Sequence, residues 1–84
     1  MPQLSRFYGI TVYMYFKGKE HNPAHIHAHY GNFNASIAIE NAELLEGEFP
    51  PRALRLLKEW ITLHKEELKE MWDSQCFYPI PPLD

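Results

Sequence analysis

The sequence predicts an α+β fold in which a small antiparallel sheet of three to four strands is covered by one long C-terminal helix. Three observations lead to this prediction. The first half of the 84-residue chain alternates aromatic and β-branched residues with others, as strands do. The second half changes to the three-to-four-residue spacing of a helix. Prolines recur after residue 78 and predict an extended tail. Because no repeat or linker interrupts this order, residues 1–84 are predicted to form a single domain.

The strands are predicted from alternation and from turn residues between them. The second predicted strand alternates strictly as His-Ile-His-Ala-His-Tyr, which is typical of a strand with two unlike faces. Gly31 and Asn32 follow it and predict a hairpin turn, because both residues tolerate positive φ at little cost. The strands are therefore expected within about residues 7–46. The predicted segments are 7–16, 25–30, 33–40 and, as a short fourth strand, 43–46.

One helix is predicted over about residues 51–72. Pro50 and Pro51 are typical of the start of a helix, and apolar residues then form one continuous stripe. The stripe consists of Leu54, Leu57, Ile61, His64, Leu68 and Met71. Because His64 lies inside the stripe, we expect it to pack in the core with one satisfied hydrogen bond. Residues 74–84 form the predicted tail, which either docks on the body or waits for a partner.

Composition excludes several classes of protein. Apolar residues make up 45% and charged residues 23%, which is typical of a compact soluble globule and excludes disorder throughout. No apolar run is long enough for a membrane span and no signal peptide is recognised, so a cytoplasmic location is expected. The single cysteine, Cys76, fits a reducing compartment. A net charge of −3 does not indicate a nucleic-acid partner, although such a partner stays an open alternative.

Histidines are concentrated in one short segment that contains His21, His25, His27 and His29. On a strand, the last three project from one face about 6.5–7 Å apart, and we expect this face to be solvated because the intervening residues are apolar. Neighbouring imidazoles can share a metal ion, and nitrogen ligands favour Zn²⁺, Ni²⁺ or Cu²⁺. They also titrate near neutrality and can act as acid and base. A structural role is the third alternative, and no Cys-x-x-Cys or His-Glu-x-x-His motif accompanies the cluster.

An ordered set of motifs runs through the chain: His21-Asn-Pro-Ala-His25-Ile-His27, Tyr30-Gly31, Leu45-Glu-Gly47-Glu-Phe-Pro50, Glu59-Trp60, His64, Glu67-Leu68 and Trp72. Over about residues 4–73 this set resembles the bacterial family described as domain of unknown function 4160. The resemblance matches His21, His25 and His27 to the family's histidine motif. His29 lies outside that motif, and Ala24 stands where a second proline is common. The resemblance implies a small bacterial protein encoded beside another small protein, as in toxin–antitoxin pairs, with no established activity.

Three functional hypotheses follow, and whether the protein is an enzyme stays open among them. The first, which we favour, is a protein-interaction module that binds a small protein encoded nearby. It would use its sheet edge and tail, with His21, His25 and His27 as the functional surface. The second is a Zn²⁺, Ni²⁺ or Cu²⁺ site made by the same three histidines, with His29 as a weaker candidate. The third is a histidine-dependent RNA-cleaving toxin. Self-association also stays open.

Overall fold

The computed structural model describes residues 3–15 and 23–83, which form strands followed by helices. The elements are β1 (Gln3–Phe7), β2 (Ile10–Tyr13), β3 (His25–Tyr30), β4 (Phe33–Ala38), β5 (Leu44–Gly47), α1 (Pro51–Leu63) and α2 (Lys65–Ser74). The α+β class is confirmed. The expected three to four strands and single long helix are wrong, because the described chain has five strands and two helices.

All five strands form one antiparallel sheet in the order β1-β2-β3-β4-β5, so each strand pairs with its neighbour in the chain. The alternation predicted for β3 separates two faces. Ile26 and Ala28 are fully buried on the face that packs against the helices. We call the opposite side the outer face. Its residues, identified from the strand register, are Thr11, Tyr13, His25, His27, His29, Asn34, Ser36 and Glu46.

The first predicted strand, over 7–16, is not one strand. It spans the last residue of β1, a two-residue turn and all of β2, and residue 16 lies outside the described residues. Phe7 of β1 pairs with Ile10 of β2, and Tyr8 and Gly9 form the turn with φ values of 48° and 82°. A tyrosine is uncommon at positive φ, so Tyr8-Gly9 lacks the asparagine, aspartate or glycine that usually precedes the glycine of such a turn. The sheet consequently begins earlier in the chain than residue 7.

The predicted helix over 51–72 is divided at His64, whose backbone has φ −114° and ψ 22°. The His64 N–H still donates to the Trp60 carbonyl oxygen (3.1 Å), and its own carbonyl oxygen accepts from the Leu68 N–H (2.9 Å). The apolar stripe therefore continues across the division, and both helices pack on the same core. Neither helix, within the described ranges, has the length and apolar character needed to cross a bilayer.

The tail, residues 75–83, docks on the body. Ile80 is 3% exposed, and its N–H donates to the Leu4 carbonyl oxygen of β1 at 2.7 Å. The buried Trp60 side chain donates from Nε1 to the Pro81 carbonyl oxygen at 2.9 Å. Of the two alternatives left open for the tail, docking is therefore correct. The tail begins after residue 74, because α2 extends to Ser74.

Candidate functional site

Strand β3 brings two of the three motif histidines together. The ring centroids of His25 and His27 are 5.0 Å apart on the outer face, and His29 continues the same row. His21 lies outside the described residues. The expectation that these imidazoles stand in solvent is wrong for His25, which is only 8% exposed, whereas His27 and His29 are partly exposed.

His25 is buried because it begins β3 at the end of the sheet that Trp72 of α2 reaches. The two ring centroids are 5.1 Å apart. His25 Nδ1 lies 2.8 Å from the Pro23 carbonyl oxygen. Since a carbonyl oxygen only accepts, Nδ1 carries the proton in this hydrogen bond. The neutral His25 ring therefore has its free lone pair on Nε2.

His27 lies between neighbours on both sides in the sheet. Its Nδ1 is 3.3 Å from the Ser36 hydroxyl oxygen of β4. On the other side, the Tyr15 ring meets it edge to face, with centroids 4.2 Å apart and an interplanar angle of 83°. A continuous ring chain results, formed by Tyr15, His27, His25 and Trp72. Sequence analysis missed Tyr15 and Trp72 as members, because their contacts depend on strand register and on helix packing.

His29 contacts a different tyrosine and borders a groove. Its ring centroid is 5.1 Å from that of Tyr13, again in an edge-to-face arrangement. The groove on the outer face has a volume of about 260 Å³. Its polar side chains are His27, His29, Asn34, Ser36 and Glu46. The groove thus combines two imidazoles, an amide, a hydroxyl group and a carboxylate from three adjacent strands.

His64 is separate from this surface. Its Nδ1 donates to Glu67 Oε1 at 2.8 Å, its side chain is 17% exposed, and its ring packs 5.3 Å from that of Trp60. The expected hydrogen bond is therefore confirmed, but the expected place in the core is wrong, because His64 is only half-buried at the junction of the two helices. The pair Trp60–His64 stabilises the junction of the two helices.

The comparison with known families now bears on the histidine motif. A family model described as Domain of unknown function (DUF4160) matches residues 9–73. The chain belongs to this family. The matched range includes the complete β3–β4 hairpin and the whole row of outer-face histidines, so these residues lie in the part that defines a DUF4160 domain. No curated protein and no solved structure matches the chain.

The chemistry available on the outer face of this DUF4160 domain is recognition by hydrogen bonds and ring contacts. Imidazoles and a hydroxyl group both donate and accept, and edge-to-face rings hold one another in fixed orientations. Within residues 3–15 and 23–83, no group of three or more His, Cys, Asp or Glu side chains is placed to hold a metal ion.

Proposed function

We propose that this DUF4160 protein is a protein-interaction module whose outer face binds a second small protein. The main observation behind the proposal is that the helices cover only one of the two faces of the sheet. Both helices pack on one side, whereas the other presents partly exposed tyrosine and histidine rings. These rings belong to Tyr13, Tyr15, His27 and His29. Tyrosine is enriched at the centres of protein interfaces, because it buries a large area at little entropic cost.

The ring contacts also support binding because they hold the surface in one conformation. Tyr13 is oriented by His29 and Tyr15 by His27. Side chains that are already ordered lose less entropy when a partner binds, so more of the contact energy contributes to affinity. The polar side chain of Asn34 lies next to these aromatic rings, in the position that polar residues take at the rim of a protein interface.

The partner that we propose is the small protein encoded beside this one, in the toxin–antitoxin-like arrangement that the family resemblance implies. In such a pair one protein binds and controls the other, which requires a surface for recognition but no catalytic group on the binding protein. We place the complex in the bacterial cytoplasm. The exposed free thiol of Cys76 is compatible with that reducing compartment.

The test is titration calorimetry of this protein with the purified neighbouring protein. The double variant Tyr13→Ala/His27→Ala should weaken binding by about 30-fold, the effect of losing about 2 kcal/mol at an interface centre. The matched control is Arg55→Ala/Lys58→Ala, which changes two exposed residues of α1 and should leave the dissociation constant unchanged. Equal affinity of both double variants, or the absence of any complex with the wild-type protein, would contradict the proposal.

Transition-metal binding is the second candidate, and the His25 hydrogen bond favours it. Histidines that bind metals almost always donate their other ring N–H to a carbonyl or carboxylate oxygen. The bond from His25 Nδ1 to the Pro23 carbonyl oxygen matches this pattern, and it leaves Nε2 as the ligand atom. His27 would be the second ligand and His21 the third, with Zn²⁺, Ni²⁺ or Cu²⁺ as the ion.

Calorimetry of the untagged protein with Zn²⁺ or Ni²⁺ separates this candidate from the first. Wild-type protein should bind one ion, and His25→Ala should lose that binding. His64→Gln serves as the control, because His64 pairs with Glu67 and stands apart from the outer face. Dissociation constants above about 10 μM for the wild type would remove the metal hypothesis.

RNA cleavage by paired histidines stays a prediction. The burial of His25 limits access of a phosphodiester to its ring, so the geometry favours the first two candidates. Growth arrest on expression that His27→Ala abolishes would support a toxin, and harmless expression would count against it.

A further inference from the structure

Strand β5 lies at the edge of the sheet and carries exposed leucines. It is the last strand in the sheet order, so its outer edge is unpaired within the part of the chain that the structure describes. Leu44 is 40% exposed and Leu45 is 44% exposed. An edge strand presents backbone N–H and C=O groups that another strand can pair with, and neighbouring apolar side chains add contact area.

The two edges of the sheet differ in whether other parts of the chain cover them. At the β1 edge, Ile80 of the tail donates its N–H to the Leu4 carbonyl oxygen, so the chain covers part of that edge itself. At the β5 edge, every residue of the strand is exposed. Large apolar side chains on such an edge carry a risk of aggregation. A specific partner strand would give this exposed edge a function.

Charge indicates which kind of strand fits. Three carboxylates lie within β5 or directly beside it, and none of them forms an ion pair within the described ranges. They are Glu43, Glu46 and Glu48. Glu40, in contrast, is paired with Lys65 (3.6 Å) and Lys69 (3.3 Å). A second copy of this chain would bring two such sets of unpaired carboxylates together, and like charges on adjacent strands are destabilising.

We infer that the outer edge of β5 binds a basic strand of a partner protein, in which lysine or arginine alternates with apolar β-branched residues. The backbones pair as adjacent strands. The apolar side chains of the partner lie on the face of Leu44, which pairs with the buried Ile37, with Leu45 next to it. Its cations lie on the opposite face with Glu46, which pairs with Ser36, and close to Glu43. This inference rests on the proposed function, because it names the surface and the partner chemistry for an interaction module. It is separable from that function, since the outer-face rings are not needed for the edge contact.

The probe is a synthetic eight-residue peptide of alternating lysine and valine, titrated at low salt while the backbone amide signals are followed by NMR. We expect the largest shifts over residues 43–48. A peptide with glutamate in place of lysine, and one with two central prolines, should not bind. Charge reversal by Glu43→Lys/Glu46→Lys should weaken binding by about tenfold, and raised ionic strength should weaken the wild type in the same way.

The matched control is Glu66→Lys/Glu70→Lys, which makes the same change in net charge on exposed residues of α2 and should change affinity by less than about twofold. Leu44→Ser/Leu45→Ser provides a second test at exposed positions and should also weaken binding. Equal weakening by both charge reversals, or no shifts over 43–48, would overturn the inference. If the peptide binds but the neighbouring protein does not, the proposed function fails while the edge site stands.

Discussion

Replacing Ile80 by alanine tests how much the docked tail contributes to the stability of the fold. Ile80 is 3% exposed and belongs to the same core cluster as Trp60. Isoleucine-to-alanine changes at buried positions cost 2–5 kcal/mol, and a tail can relax into the space more easily than a strand can. We therefore expect a loss of about 2–3 kcal/mol. For a domain of this size that loss lowers Tm by about 8–24 °C.

The assay is equilibrium unfolding in urea, followed by tryptophan fluorescence. Trp60 is a suitable reporter, because it is fully buried and its Nε1 donates to the tail at Pro81. Leu63→Ala is the control: Leu63 is 65% exposed, so its loss should change the free energy of unfolding by less than about 0.5 kcal/mol. If Ile80→Ala changed it as little, the core would be complete without the tail and the reasoning would be wrong.

Three further predictions concern single residues. Gly47→Ala should lower the free energy of unfolding by about 3 kcal/mol or more, because φ is +88° and a Cβ would collide with a backbone carbonyl oxygen of β4. Gly31→Ala should lower it by only about 1 kcal/mol, because φ is +59° but the space around the Cβ is open. Urea unfolding measures both changes. A hydrogen bond from Lys69, together with the charges of nearby lysines, holds the pKa of Glu40 below its ordinary value of 4.5. The resulting stability is present above about pH 4.5 and is lost as the pH falls through the lowered pKa. Glu40→Gln should therefore flatten the acid side of a stability–pH profile at low salt, and an unchanged profile would contradict the ion pair. The neutral form of the His25 ring should carry its proton on Nδ1, and ¹⁵N NMR that found it on Nε2 would refute the hydrogen-bond assignment.

Local signals were sufficient to predict the central hairpin. The strict alternation over residues 25–30 matches β3 at both ends, and Gly31-Asn32 is the turn that joins it to β4. The return strand was predicted two residues too long, because nothing in the composition marks its end at Ala38. The change to helical spacing after Pro50 was equally clear. These features depend only on residues that are close together in the sequence, so the sequence alone is sufficient to predict them.

Features that depend on distant residues or on unusual backbone angles could not be predicted. Tyr8 adopts positive φ in a turn where glycine or asparagine would be the usual signal. The helix divides at His64 with no proline or glycine to mark the place. The candidate site shows the same limit: alternation identified His25 and His27, but their contacts with Tyr15 and Trp72 arise only when strands and helices pack together.

The bond between Ile80 and Leu4 has a consequence for synthesis on the ribosome. Each strand of the sheet pairs with the one made just before it, so the hairpins can form in succession as the nascent chain emerges. The outer side of β1 is different, because the residue that bonds to it, Ile80, is translated after all five strands and both helices. Until residue 80 has left the ribosome, that side of β1 is unpaired and can mispair with other nascent chains, and docking of the tail then protects it.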